Sequence, residues 1–231
     1  MPTVKVLVVD DYDSIRQSLS AILSDSGYKV RSAEDGFSAL AEIRNEIPDI
    51  ILSDLNMPGM SGFEFLSVVR RRFPEIRVVA MSGSFSVSEV PAGVIADVYY
   101  EKCTGPRSLL QILEAMTLSR ETSPYPQRPP ALLPVWLPTN GHHPSGEAYV
   151  MITCPECLRA FPQVFSASPR LIQQATCAFC RSSIDYAIVP PADPSTSQAF
   201  QQNPRAGIPA LSTPDPANKA HRKSSSDAQH S

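Results

Sequence analysis

Val6-Leu-Val-Val-Asp-Asp11 and, further along, Ile50-Ile-Leu-Ser-Asp54 are the two stretches that decide the fold. Each is a short apolar run, rich in β-branched residues, that ends on acid. Its length and composition suit a parallel strand buried on both faces. Helical stripes alternate with such runs. Ile15, Leu19, Ile22 and Leu23 make one face after Asp13 as the expected cap, and Gly27 closes that helix before a strand around Lys29 to Ser32. Phe37, Leu40 and Ile43 mark a second helix, and a third runs from about Phe63 to Arg72. Arg70, Arg71 and Arg72 at its end read as solvated partners of the helix dipole. The alternation predicts an α/β domain with a doubly wound parallel sheet, whose ligands sit at the carboxyl ends of the strands.

Asp10, Asp11 and Asp54 therefore meet at one sheet edge. Two carboxylates about 4 Å apart repel by roughly 4 kcal/mol at an effective dielectric near 20. Holding all three ionised calls for a hard divalent cation, and magnesium suits an oxygen-only site. Such an ion would let a carboxylate, a weak nucleophile, approach a dianionic phosphoryl group. Lys102 supplies a mobile positive charge, and Ser82 a hydroxyl, for the phosphoryl oxygens.

The chain resembles the receiver domain of bacterial two-component response regulators over residues 3 to 119. The matching stretches are Val6 to Asp11, Ile51-Leu-Ser-Asp-Leu-Asn-Met-Pro-Gly-Met-Ser-Gly62, Val78-Val-Ala-Met-Ser-Gly83 and Tyr99-Tyr-Glu-Lys102. The resemblance implies a five-stranded, flavodoxin-like sheet. It makes Asp54 the phosphoryl acceptor and Asp10 and Asp11 magnesium ligands, with the backbone carbonyl of Asn56 added. Ser82 and Lys102 bind the phosphoryl oxygens, and Ser82 and Tyr99 form the switch pair. Ser84 and Asn56 lie where receivers tune the lifetime of the acyl phosphate. A sensor histidine kinase or phosphotransfer protein is the implied donor. The chain is then a phosphoryl acceptor, with at most slow self-dephosphorylation, and not an enzyme. Three features depart from the family. Cys103 stands where receivers usually place proline, so the Lys102–Cys103 bond is expected to be trans. Pro91 falls where a fourth helix would run. Nothing downstream resembles a helix-turn-helix module or a cyclic-dinucleotide enzyme.

The remainder of the 231 residues changes character near residue 121. The expected division is a receiver over 1–120, a linker over 121–146, a small domain over 147–190 and a tail over 191–231. The linker reads Ser-Pro-Tyr-Pro-Gln-Arg-Pro-Pro and then Leu-Pro-Val-Trp-Leu-Pro, a spacing that disfavours both helix and central strand. Trp136, the chain's only tryptophan, is expected to dock on a neighbouring domain or a partner, whereas His142 and His143 read as exposed. The tail is rich in Pro, Ser, Gln, Ala and Asn and cannot bury enough surface to order itself. Its small basic cluster (Lys219, His221, Arg222, Lys223) names no ligand.

Cys154-Pro-Glu-Cys157 and Cys177-Ala-Phe-Cys180 are two Cys-x-x-Cys pairs separated by nineteen residues. Each pair can bend into a knuckle that offers two thiolates to adjacent corners of a tetrahedron, which predicts a closed structural zinc site. The surroundings resemble a zinc ribbon, with strands near 148–153, 161–166 and 183–189 and a core too small to fold without the ion. Cys103 reads as a packing thiol. Residues 147–190 hold Arg159, Arg170 and Arg181 against Glu147, Glu156 and Asp185, and the first 120 residues hold 12 Lys and Arg against 16 Asp and Glu. Nucleic acid is thus possible but not favoured, and protein contact is preferred. No apolar run reaches eighteen residues, so a cytoplasmic location without membrane contact is expected. The reading is a phosphorelay response regulator that signals through a zinc-ribbon module to an unknown output protein. The alternatives are a transcriptional regulator whose ribbon binds DNA and a phosphorylation-independent pseudo-receiver scaffold.

Overall fold

The computed structural model describes residues 3–83, 96–122, 134–138, 149–164 and 172–189. Five parallel strands, β1 (Lys5–Val9), β2 (Lys29–Ala33), β3 (Ile50–Asp54), β4 (Arg77–Ser82) and β5 (Val98–Glu101), form one sheet in the order β2-β1-β3-β4-β5. This is the flavodoxin-like order of a doubly wound sheet. The strands' two-residue period divides the core. Leu7, Val9, Ile51, Val78 and Ala80 pack with helices α2 (Gly36–Asn45) and α3 (Gly62–Arg72). Val6, Val8, Leu52, Val79 and Met81 pack on the other face with Leu23 of α1 (Asp13–Asp25) and with Leu109, Leu113 and Met116 of α4 (Pro106–Thr122).

Local signals place the helix ends. Asp35 caps α2 by accepting the Ser38 N–H at 2.7 Å, and Ser61 caps α3 by accepting the Glu64 N–H at 3.2 Å. Gly27, at φ 90°, turns the chain out of α1 as expected. The expected cap of α1 is corrected: Asp13 is already helical, Tyr12 precedes the helix without a side-chain cap, and Asp13 instead pairs with Arg16. Phe37 belongs to α2 but is 45% exposed, so Ala39, Leu40 and Ile43, and not Phe37, carry that helix's apolar contact with the core.

A smaller β unit follows. Strands β6 (Val135–Leu137), β10 (Ser183–Ile188) and β9 (Ile172–Thr176) form a three-stranded sheet in that order, and β7 (Tyr149–Thr153) pairs with β8 (Ala160–Val164) in a hairpin. Val150, Ile152, Phe161, Ala175, Ile184 and Tyr186 bury one core between the two sheets. Strand β6 lies in the stretch read as linker. Its prolines, Pro134 and Pro138, flank only three residues, and the strand sits at a sheet edge where missing N–H donors are tolerated. Strand β9 has no counterpart in the sequence reading, because its Ile-Gln-Gln-Ala-Thr run has too little apolar alternation.

The arginine run is also corrected. Arg70 is buried and pairs with Asp97 at 2.7 Å, while Arg71 and Arg72 reach Glu156 of the β unit at 3.7 and 3.8 Å. The expected break at Pro91, together with Ser84, His142, His143, Arg170 and the tail, falls outside the described residues.

Candidate functional site

Strands β1 and β3 end side by side, with Val9 opposite Ser53, so Asp10 and Asp54 emerge at the same edge of the sheet. Asp10 is fully buried and Asp54 nearly so. Asp10 Oδ1 accepts the Tyr12 N–H at 3.0 Å. A carboxylate oxygen from each of Asp10, Asp11 and Asp54 lies within 4.8 Å of the others. Asp11 Oδ1 is buried without a hydrogen-bond partner, an orphaned acceptor of the kind that a cation satisfies. These acids fit a hard divalent ion.

Lys102 begins a short 3₁₀ turn, Lys102–Thr104, directly after β5. Its Nζ lies 2.8 Å from Asp10 Oδ2 and 3.0 Å from Asp54 Oδ2. Burial alone would lower the lysine's pKa, but the charges of Asp54 and Asp10 outweigh it and hold the ammonium above its ordinary value. Burial raises the Asp54 pKa. The Lys102 charge and the Asn56 N–H pull it back part of the way, and Asp10 pushes it up. No described peptide bond is cis, so Lys102 reaches both acids across a trans bond to Cys103.

Ser82 ends β4, is buried and pairs in register with Glu101, one residue before the lysine. Asn56 is exposed just past β3, and its backbone N–H binds the Asp54 carboxylate. Tyr99 lies half-buried against the α2–α3 face of the sheet. Tyr100 turns to the α1–α4 face, where its hydroxyl donates to the Gly105 carbonyl at 2.9 Å.

The comparisons with known proteins bear on this edge. Residues 6–114 match the family model of the response regulator receiver domain. This part of the chain is a response regulator receiver domain. The response regulator MprA of Mycobacterium sp. strain KMS is 39% identical over 124 residues, 52% of this chain and 53% of the relative. MprA of Mycobacterium tuberculosis H37Ra is 37% identical over 125 residues, 53% of each. The chain thus spans about half the length of the curated relatives it matches. Among solved structures, the chemotaxis response regulator CheY4 of Vibrio cholerae is 38% identical, covering 49% of this chain and 98% of that one, with a TM-score of 0.47. No described helix is long and apolar enough to cross a membrane.

The four cysteines of the β unit converge as well. Cys154 and Cys180 are 3.6 Å apart at sulfur, and Cys157 and Cys177 are 3.7 Å apart. A tetrahedral ion with metal–sulfur bonds of about 2.3 Å needs an edge of about 3.8 Å, whereas a disulfide needs about 2.05 Å. The spacing therefore fits a tetrahedral ion and no disulfide. Burial pushes the Cys154 thiol up to about 12, while hydrogen bonding with the side chain and backbone of Ser182 draws Cys180 down to about 6.

Sequence reasoning missed Glu64. This α3 carboxylate is buried and accepts the Thr153 N–H of β7 at 2.6 Å. A Glu three residues into a helix reads as an ordinary partner of the helix dipole, so only the position of β7 reveals it.

Proposed function

We propose that the chain is a response regulator of a two-component phosphorelay that takes a phosphoryl group from a histidine kinase or phosphotransfer protein onto Asp54. It then signals through the cysteine-bearing β unit, a zinc ribbon, by contact with another protein. The observation that carries this reading is the Lys102 ammonium set between Asp10 and Asp54.

Asp54 attacks phosphorus through a carboxylate oxygen. The new P–O bond forms as the donor's P–N bond breaks, and the electron pair stays on the donor imidazole. Asp10, Asp11, Asp54 and the Asn56 carbonyl would hold magnesium, which would supply charge neutralisation for the nucleophile and the phosphoryl group. Lys102 is placed to swing from the carboxylates to a phosphoryl oxygen, and Ser82 offers its hydroxyl from the adjacent strand end. Tyr99 lies on the sheet face that also carries α3, so its movement would be felt there. Cys154, Cys157, Cys177 and Cys180 would hold a zinc ion through four thiolates, a ligand set that suits a structural role.

Incubation with magnesium and acetyl phosphate tests the first half. A base-labile adduct on Asp54, absent from Asp54→Asn, is expected, and no adduct from either acetyl phosphate or a phosphorylated donor protein would sink the reading.

A further inference from the structure

Helix α3 touches both halves of the ribbon. The β7–β8 hairpin carries the first knuckle, and Thr153, immediately before Cys154, donates its N–H to the buried Glu64 at 2.6 Å. Glu156, inside that knuckle, faces Arg71 and Arg72. Leu158 closes the knuckle at φ 58°, its N–H bound to the Cys154 carbonyl at 2.8 Å, and packs against the receiver core.

The second half is anchored separately. Strand β9 leads into the second knuckle, and the sheet it shares with β10 and β6 brings Trp136 against α3. The Trp136 backbone N–H donates to Ser67 Oγ at 3.1 Å, and its side chain is buried in the receiver's α2–α3 core with Ala187 and Val189. Phe179, Cys180 and Arg181 of the second knuckle are exposed, on the solvent side of the site. Each half of the ribbon thus offers two thiolates to the cysteine site and one hydrogen-bonded anchor to α3.

We propose that helix α3 of the receiver pre-assembles the four-cysteine metal site by holding its two knuckles in place, so that metal binding and receiver–ribbon docking are one coupled equilibrium. This rests on the zinc reading given above. Fixing two half-sites on one helix raises the effective concentration of the second thiolate pair around an ion held by the first. Linkage then requires that the ion stabilise docking by the same factor that docking strengthens the ion. A change at α3 and a change in metal occupancy are consequently felt at each other's site.

The test uses the full chain, stripped with a chelator and titrated with Co²⁺, whose thiolate charge-transfer absorption reports four-sulfur ligation. Glu64→Ala, a receiver residue that binds no metal, is expected to keep that absorption but weaken Co²⁺ affinity about tenfold. The paired variant Arg71→Ala with Arg72→Ala, which removes both ion-pair partners of Glu156, is expected to weaken it about two- to threefold. Removing zinc from the unaltered chain should also shift Trp136 emission to longer wavelength as its burial is lost. Normal thiolate absorption with unchanged affinity in both variants would overturn the coupling while leaving the zinc site standing. Absence of thiolate absorption in the unaltered chain would overturn the zinc reading and the coupling together.

Discussion

Gly62 opens helix α3 so close to the backbone of Asp54 that a Cβ there would lie 1.8 Å from the Asp54 carbonyl oxygen. The Gly62 N–H also donates to the Leu55 carbonyl at 3.0 Å. Strand β3, which ends on Asp54, and helix α3, which packs against the β unit, are thereby in direct backbone contact, and neither can shift without moving the other. Gly62→Ala must open this contact, at a cost of about 1–3 kcal/mol typical of overpacking. Urea unfolding is expected to show that loss, with slower labelling of Asp54 by acetyl phosphate. Unchanged stability would mean the contact is looser than the geometry states.

Lys102 balances two buried acids. Lys102→Ala leaves Asp10 and Asp54 facing each other, and breaking a buried pair of this kind costs about 3 kcal/mol before the lysine's partial exposure is discounted. The loss should be largest in chelator and smaller in excess magnesium, because the ion supplies the missing charge. It should also shrink as pH falls, since the Asp54 pKa, already raised by burial, rises further without the lysine and protonation relieves the repulsion. Denaturation with and without magnesium at two pH values checks both, and an equal loss under all conditions would contradict the proposed balance.

Much of the receiver was legible in sequence because its physics is local. Apolar runs ending on Asp10 and Asp54 announce buried strands, and parallel pairing then brings their ends together without further information. The cysteine spacing was legible for the same reason. Trp136 could be expected to dock, but not where, since three residues between prolines carry no period that specifies a partner strand. Glu64, Arg70 and Arg71 were beyond reach of sequence: their burial depends on β5, β7 and the first knuckle, elements distant in the chain whose placement sets whether a helix surface is wet or dry.

Trp136 gives a packing prediction. Its ring is buried in the receiver core, yet its indole Nε1 has no hydrogen-bond partner, so the ring serves by volume. Trp136→Ala is expected to cost about 3–5 kcal/mol, as a large aromatic deletion does. Trp136→Phe keeps most of the volume, discards the unpaired N–H and should cost less than about 1.5 kcal/mol. Equal losses in the two variants, measured by denaturant unfolding, would show that the N–H contributes after all.

Glu64 is expected to make the contact between α3 and strand β7 depend on pH. Burial raises its carboxyl from the ordinary 4.5 to about 7, opposed only in part by hydrogen bonding from Thr153. Between those two values the folded protein binds the proton and the unfolded chain does not, so stability is greatest below about 4.5 and is lost as pH rises to about 7. At about 1.4 kcal/mol per unit, the change amounts to roughly 3 kcal/mol at most. Glu64→Gln keeps an acceptor for Thr153 but has no proton to lose. With zinc saturating, the variant is therefore expected to match the unaltered protein near pH 5 and to exceed it near pH 8. Unfolding profiles that stay parallel across this range would show that Glu64 remains ionised in the fold, with the buried charge compensated by a group other than Thr153.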